Sequence, residues 1–405
     1  MSSLSISSSD EVFFDPEPQI VEDHSKVEQL AQKTQSIWGR VYDVTIGNLV
    51  KVQYIIRNAI GSVVRNAFFF PLKWSPIANS QAVRDQLQIE ENYYRDFWDP
   101  TKPLDPSLKL HAEIREKFAP PEDRVFLIQL KDGRTVEITC RIIQTKEGGD
   151  NFYNFAQVPG IYTTISNNIG TTHPYLAAYL SSQKEAESLP PARFIMISEN
   201  NLNFKPATLD EAGFVLLETL KALRTEFGDM DQLVAHSLGN VFLANALKQA
   251  DDPKLLPKNI CLDRGPTSIW EVSKKYFLGL GRLIYLLAKC GGWASDIEQD
   301  ITDFCQKWEE RPSLLITGVI QDHHFSGSAN LCLGEKIQKI DDIEVLVFNP
   351  PRQLVHECAH HNLRPDSFNP RYLTADSGFM KSSENLPEAI IRHSLPTIEE
   401  RQQIA

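Results

Sequence analysis

No uninterrupted apolar run in the chain approaches the ~18 residues that a membrane-spanning helix needs. An excess of cations is missing too. Lys and Arg number 41 against 53 Asp and Glu, a net charge of -12, which argues against broad phosphate binding and so against a nucleic-acid partner. The six cysteines, Cys140, Cys261, Cys290, Cys305, Cys332 and Cys358, form no CxxC pair. In a chain of 405 residues they read as reduced thiols and not as a disulfide framework. The amino terminus, MSSLSISSSDEVFFDPEP, lacks the basic region and apolar run of a secretory signal. Residues 1–25 read instead as a disordered, serine-rich tail. There is no internal repeat. Together these absences point to a cytoplasmic chain.

What is present falls into three zones. Residues 26–120 are helical in pattern: Leu49, Val52, Ile56, Ile60, Val63 and Ala67 recur every three or four residues until Pro71 ends the run. Two readings of this helix stay open. Its stripe packs on the main domain, or, because Lys51, Arg57 and Arg65 make the segment basic, it makes peripheral contact with a membrane surface.

Residues 121–365 alternate strand-like and helix-like patterns, as an α/β domain does. Val125–Leu130 and Thr135–Ile143 flank the turn signal KDGR, predicting a hairpin. In its second strand Val136, Ile138, Cys140 and Ile142 alternate with polar neighbours, so one face is wet. The later runs FYNFAQV, RFIMIS, QLVA, NICLD, SLLITGVI and IEVLVF are short and mostly apolar. They predict a mostly parallel sheet with helices on both faces. TLDE at Thr208–Glu211 is a capping box, followed by the stripe Leu216, Leu217, Leu220, Leu223 and Phe227. Residues 366–405 are a C-terminal extension with a short helical pattern around Leu386–Arg392.

In DQLVAHSLGNVFLANAL a strand, Leu233–Ala235, turns at once into a helix near Leu238, with Ser237 at the joint. So sharp a turn needs small residues two before and two after the serine, and Ala235 and Gly239 stand there. The pattern is that of a nucleophile elbow, which lifts a serine hydroxyl out of a sheet. The plainer reading is a serine that caps the helix.

With this motif and element order the sequence resembles the α/β-hydrolase superfamily over about residues 124–365. It departs from the family's habit in three places. Pro159-Gly160-Ile161 replaces the usual His-Gly-x loop, Ala235 opens the elbow in place of glycine, and Asn240 follows Gly239. The resemblance implies a serine esterase or lipase-like enzyme acting on a small-molecule or lipid ester, without cofactor or metal. Ser237 would be the nucleophile, Asp322 the acid after SLLITGVIQ, and His361 of VHECAHHN the base. Asp263, closing NICLD, is the competing acid, and His360 or His356 the alternative base. His236 reads as structural, while His323 and His324 line the site or stand exposed. The backbone N–H groups of Leu238 and Ile161 would hold the oxyanion. Residues 269–311, with YFLGLGRLIYLLAKC, are either the family's variable lid or a helical crossover with extra core.

Two rivals come from other classes. His356-Glu357-Cys358-Ala359-His360 is also H-E-x-x-H, in which two histidines bind zinc and the glutamate is the base of a metallopeptidase. Leu363 and Pro365 break its extended form, and the third ligands on offer, Asp366 and Glu384, are poorly spaced. The other rival is a hydrolase fold kept as a non-catalytic, membrane-associated scaffold.

Overall fold

Gly133, at φ 86°, closes the KDGR turn, and the Asp132 carboxylate accepts from both the backbone N–H and the guanidinium of Arg134. The hairpin it joins, β1 (Glu122–Gln129) and β2 (Thr135–Gln144), opens the sheet of a computed structural model. The described residues are 56, 57, 59–61, 63, 96–104, 109–149, 151–158, 160, 169–185, 189–198, 206–276, 278–319, 327–348 and 386–395. The predicted apolar runs all form strands: β3 (Tyr153–Val158), β4 (Ala192–Ser198), β5 (Gln232–His236), β6 (Asn259–Asp263), β7 (Ser313–Val319) and β8 (Ile343–Phe348).

The eight strands lie in the order β1-β2-β4-β3-β5-β6-β7-β8. Only β2 runs against the others; every pair from β4 to β8 is parallel. Two apolar layers follow from the period of two along each strand. Ala156, Ile195, Leu233, Ile260 and Leu314 face one layer, and Phe155, Phe194, Val234, Cys261 and Leu315 the other. That is why these strands carry apolar residues at successive positions.

The helices α1 (Lys109–Lys117), α2 (Ile169–Glu185), α3 (Leu209–Phe227) and α4 (Gly239–Gln249) accompany the first five strands. Leu216, Leu217, Leu220 and Leu223 of α3 are buried, and the Thr208 hydroxyl caps the helix by accepting from Glu211 N at 3.2 Å. Between β6 and β7 lie α5 (Ile269–Tyr276), α6 (Gly281–Cys290) and α7 (Ile297–Lys307). α7 buries Ile297, Ile301 and Phe304 and pairs Asp300 with Lys248 of α4 at 3.1 Å. α5 and α6 form a helical pair whose outer leucines stay exposed. Among the described residues no helix is long and apolar enough to cross a membrane.

Residues before 120 and after 366 pack on the sheet. Phe97, Trp98, Ile114 and Phe118 share one apolar cluster with the sheet residues Phe155 and Phe194. The last helix, α8 (Leu386–Ser394), contributes Leu386, Ile390 and Ile391 to that same cluster. It is latched by Tyr153 to Ser394 and by His393, whose ring meets Glu344 at 2.9 Å and Ser313 at 3.1 Å. A hydrophobic sheet face needs a cover, and the chain supplies it from both ends. Ile390→Ala is expected to cost about 2–5 kcal/mol in a denaturant titration. A loss under 1 kcal/mol, roughly that of a surface site, would show that α8 is dispensable.

The helix between 56 and 63 packs through one of the three described residues of the expected stripe, Ile60. Gly61 is buried where an added Cβ would stand 2.4 Å from the Ala207 carbonyl oxygen and 2.7 Å from that of Gly291. Arg57 pairs with Asp210 at 3.0 Å. Ile60 packs against the core, but Ile56 and Val63 of the same stripe point outward.

Candidate active site

The site grows out of strand register. β5 ends at His236, and Ser237 follows with φ 55°, one of two non-glycine residues with positive φ among those described. A left-handed conformation costs an L-residue about 1–2 kcal/mol, so it persists only where its surroundings impose it. Here they do. Ser237 N donates to the Asp263 carbonyl oxygen at 2.9 Å. The Ser237 carbonyl accepts from Asn240 N at 3.2 Å and from Asn240 Nδ2 at 2.7 Å, and the same Nδ2 reaches the Asp263 carbonyl at 3.0 Å.

Asn240, an oddity in the sequence, is thus a buried clasp on the elbow. It has room because residue 265 is glycine: a Cβ there would stand 2.6 Å from Asn240 Nδ2.

The neighbouring strand repeats the move. Register pairs His236 with Asp263, and Arg264 after it takes φ 47° while its N–H donates to the Thr317 carbonyl at 2.9 Å. On the other side Val158 pairs with Ala235, which two residues on brings Gly160 against Ser237. A Cβ on Gly160 would stand 2.9 Å from the Ser237 Cβ and 3.3 Å from the His236 carbonyl oxygen. Gly160 therefore lies directly against the serine. Leu238 stands at the amino end of α4, where first-turn N–H groups have no intrahelical acceptor.

Asp263 is completely buried, and its carboxylate is engaged on both oxygens. Oδ1 accepts from Arg264 Nε at 2.8 Å and Thr317 Oγ1 at 2.7 Å. Oδ2 accepts from His236 Nδ1 at 2.8 Å and Arg264 Nη2 at 2.6 Å. Burial by itself would raise this carboxyl's pKa; the Arg264 charge and the bonds from His236 outweigh it and hold it well below the usual carboxylate range. An ionised carboxylate only accepts, so Nδ1 of His236 carries its proton. These four donors use the ~4 lone-pair sites a carboxylate offers. All of them are in use here, and Asp263 thereby braces the sheet end. His236 is thus tied to Asp263 at the strand end.

Of the residues chosen from sequence, the structure brings together Ser237, Leu238, Asp263 and the loop at Gly160. Ile161, Asp322, His323, His324, His356, His360 and His361 lie outside the described residues, as does the whole H-E-x-x-H segment. Among the described residues no group of His, Cys, Asp and Glu is placed to hold a metal. Sequence reasoning missed Arg264, Thr317 and the clasp at Asn240. The signals were the adjacent Asp263-Arg264-Gly265 at a strand end and the asparagine where a small residue was expected.

No protein-family model matches the chain, and no curated protein is detectably similar to it in sequence. Solved structures do align with it. The acylaminoacyl peptidase of Pyrococcus horikoshii is 13% identical over 70% of this chain and 43% of its own, with a TM-score of 0.43. The chain thus spans less than half of that peptidase. A hyperthermophilic esterase from Pyrobaculum calidifontis is 13% identical over 87% of this chain and 98% of its own, with a TM-score of 0.42. Brefeldin A esterase, a bacterial homologue of human hormone-sensitive lipase, is 12% identical over 77% and 86%, with a TM-score of 0.40. The strand order, the one reversed strand and the serine at a left-handed strand-to-helix turn are features of the chain itself. By them it has an α/β-hydrolase-like fold.

Proposed function

We propose that the chain is a serine hydrolase that cleaves a carboxylic ester or thioester through an acyl-enzyme on Ser237. The observation that carries this reading is the strained serine at the end of a central strand, clasped by Asn240 and faced by a glycine. Strain of this kind is held by its surroundings and clusters at functional sites, which favours a hydroxyl presented for chemistry.

In the proposed cycle Ser237 Oγ attacks the substrate carbonyl carbon as His361 accepts the hydroxyl proton, with His360 the alternative base. Asp322 fixes the tautomer of that ring. The N–H groups of Leu238 and Ile161 hold the developing oxyanion. The C–O or C–S bond then breaks, and the imidazolium returns the proton to the leaving alcohol or thiol. Water, deprotonated by the same ring, attacks the acyl carbon and releases the acid and the free serine. No step calls for a metal or an organic cofactor. The apolar YFLGLGRLIYLLAKC segment favours acyl lipids or other hydrophobic esters as substrate.

Labelling with a fluorophosphonate probe tests the reading. Wild type is expected to label and Ser237→Ala to lose the label completely while keeping its circular dichroism. Labelling that survives Ser237→Ala, or ester turnover abolished by a chelator and not by that substitution, would overturn it. Gly160→Ala is expected to slow labelling about 100-fold, since misplacing a reacting group by roughly 1 Å costs that much. An unchanged labelling rate would show that the loop at residue 160 does not position the serine.

A further inference from the structure

The α5–α6 pair has an outer surface the proposed chemistry does not use. α6 buries Gly281 and Ala288, and Gly281 packs on the backbone of Ser273 and Lys274. Tyr285 meets Trp270 of α5 edge-on at 5.2 Å. At 3.6 residues per turn the opposite arc, about 120° wide, carries Arg282, Leu283, Leu286, Lys289 and Cys290, all exposed. Leu283 is 53% and Leu286 55% exposed, and Leu280, just before the helix, 61%. Single exposed leucines are ordinary; three along one helical edge are not.

The charge around them is one-sided. Between Glu271 and Asp296 the chain has Lys274, Lys275, Arg282 and Lys289 and no carboxylate, in a protein of net charge -12. Lys274 is taken up by Glu271 at 2.5 Å. Arg282 and Lys289 lie one above the other on one border of the apolar arc. Ile56 and Val63 add exposed apolar side chains on the helix whose Gly61 abuts Gly291, just past the end of α6.

We propose that this face of α6 docks on an anionic lipid surface. Leu283 and Leu286 enter the acyl boundary, and Arg282 and Lys289 meet lipid phosphates, as an amphipathic helix lying in an interface does. A second copy of the chain fits the face poorly. A two-fold contact sets each patch against itself, bringing Arg282 and Lys289 onto their own counterparts with no carboxylate in the segment to pair with. The leucines also offer far less than the ~800 Å² per partner of a stable protein interface. The proposal holds whether or not Ser237 is catalytic.

The test is flotation of the full chain with vesicles of phosphatidylcholine, with and without phosphatidylserine. Binding is expected only with phosphatidylserine and is expected to weaken at high salt. R282Q/K289Q should lower partitioning about 30-fold, and L283E/L286E by about tenfold or more, with circular dichroism unchanged. A second readout needs neither variant. Of the cysteines among the described residues only Cys290 is exposed, so an environment-sensitive fluorophore placed there in a Cys358→Ser background should shift to the blue on vesicles. Failure of the wild type to float, equal flotation on phosphatidylcholine alone, or full binding by L283E/L286E with no shift at residue 290 would each overturn the proposal. So would a dimer that L283E/L286E dissolves in the absence of vesicle binding, which would assign the face to a second copy.

Discussion

His361→Ala is expected to lower kcat/KM for an ester substrate about ten-thousand-fold or more, with the thermal midpoint unchanged. A serine hydroxyl at neutral pH is almost wholly protonated, and without a base positioned to take that proton the attack barrier rises by more than 5 kcal/mol, roughly the equivalent of that factor. Residual turnover would come from the oxyanion donors and binding alone. His360→Ala separates the two candidate bases: a small effect there beside a large one at residue 361 fixes the assignment, and the reverse exchanges them. Equal and small effects of both would remove the base from this segment and the triad with it. Asp322→Asn should lower kcat by a comparable factor, because the imidazole is then held in the wrong tautomer.

Asp263→Asn should fail in the opposite way. The carboxylate neutralises Arg264, which is only 3% exposed, and takes the proton-bearing nitrogen of His236. Removing one partner of a buried pair leaves the other charge uncompensated, a loss of about 3–5 kcal/mol. The folded fraction should keep kcat within about tenfold, because a side chain that only braces the strand end holds no reacting group. A ten-thousand-fold drop in kcat with stability preserved would instead restore Asp263 as the triad acid.

The pH dependence follows from the same site. The folded carboxyl titrates below its ordinary value of 3.8. Between the two values the unfolded chain binds more protons, so the stability Asp263 confers is complete above the ordinary value and is lost as pH falls toward the folded one. Asparagine has no such titration. The stability gap between wild type and variant should therefore narrow as pH falls below about 4. A gap that kept widening below that pH would contradict the ionised, bonded carboxylate.

Much of this molecule was readable along the chain. The KDGR hairpin, the capping box at Thr208 and the short apolar strands are written in local turn chemistry and in period. So is the elbow, because a sharp strand-to-helix bend needs small residues at 235 and 239. These features depend on residues within a few positions of one another. Residues 120 and 366 carry no such local signal, because amphipathic helices look alike whether they cover the home sheet or another surface. Ile56 and Val63 mislead for the same reason: periodicity gives a stripe, not what the stripe faces.

Sequence alone determined that a strand must break at Ser237 and that an α/β sheet surrounds it, because local sterics and apolar alternation allow little else. Only the tertiary structure decided that Asp263 belongs to Arg264, His236 and Thr317, that Asn240 clasps the bend, and that α8 closes the far face of the sheet. His236 and Thr317 meet Asp263 from 27 and 54 positions away, and Ser394 of α8 meets Tyr153 from 241. Strand order and register bring them together, and no short stretch of the chain encodes either.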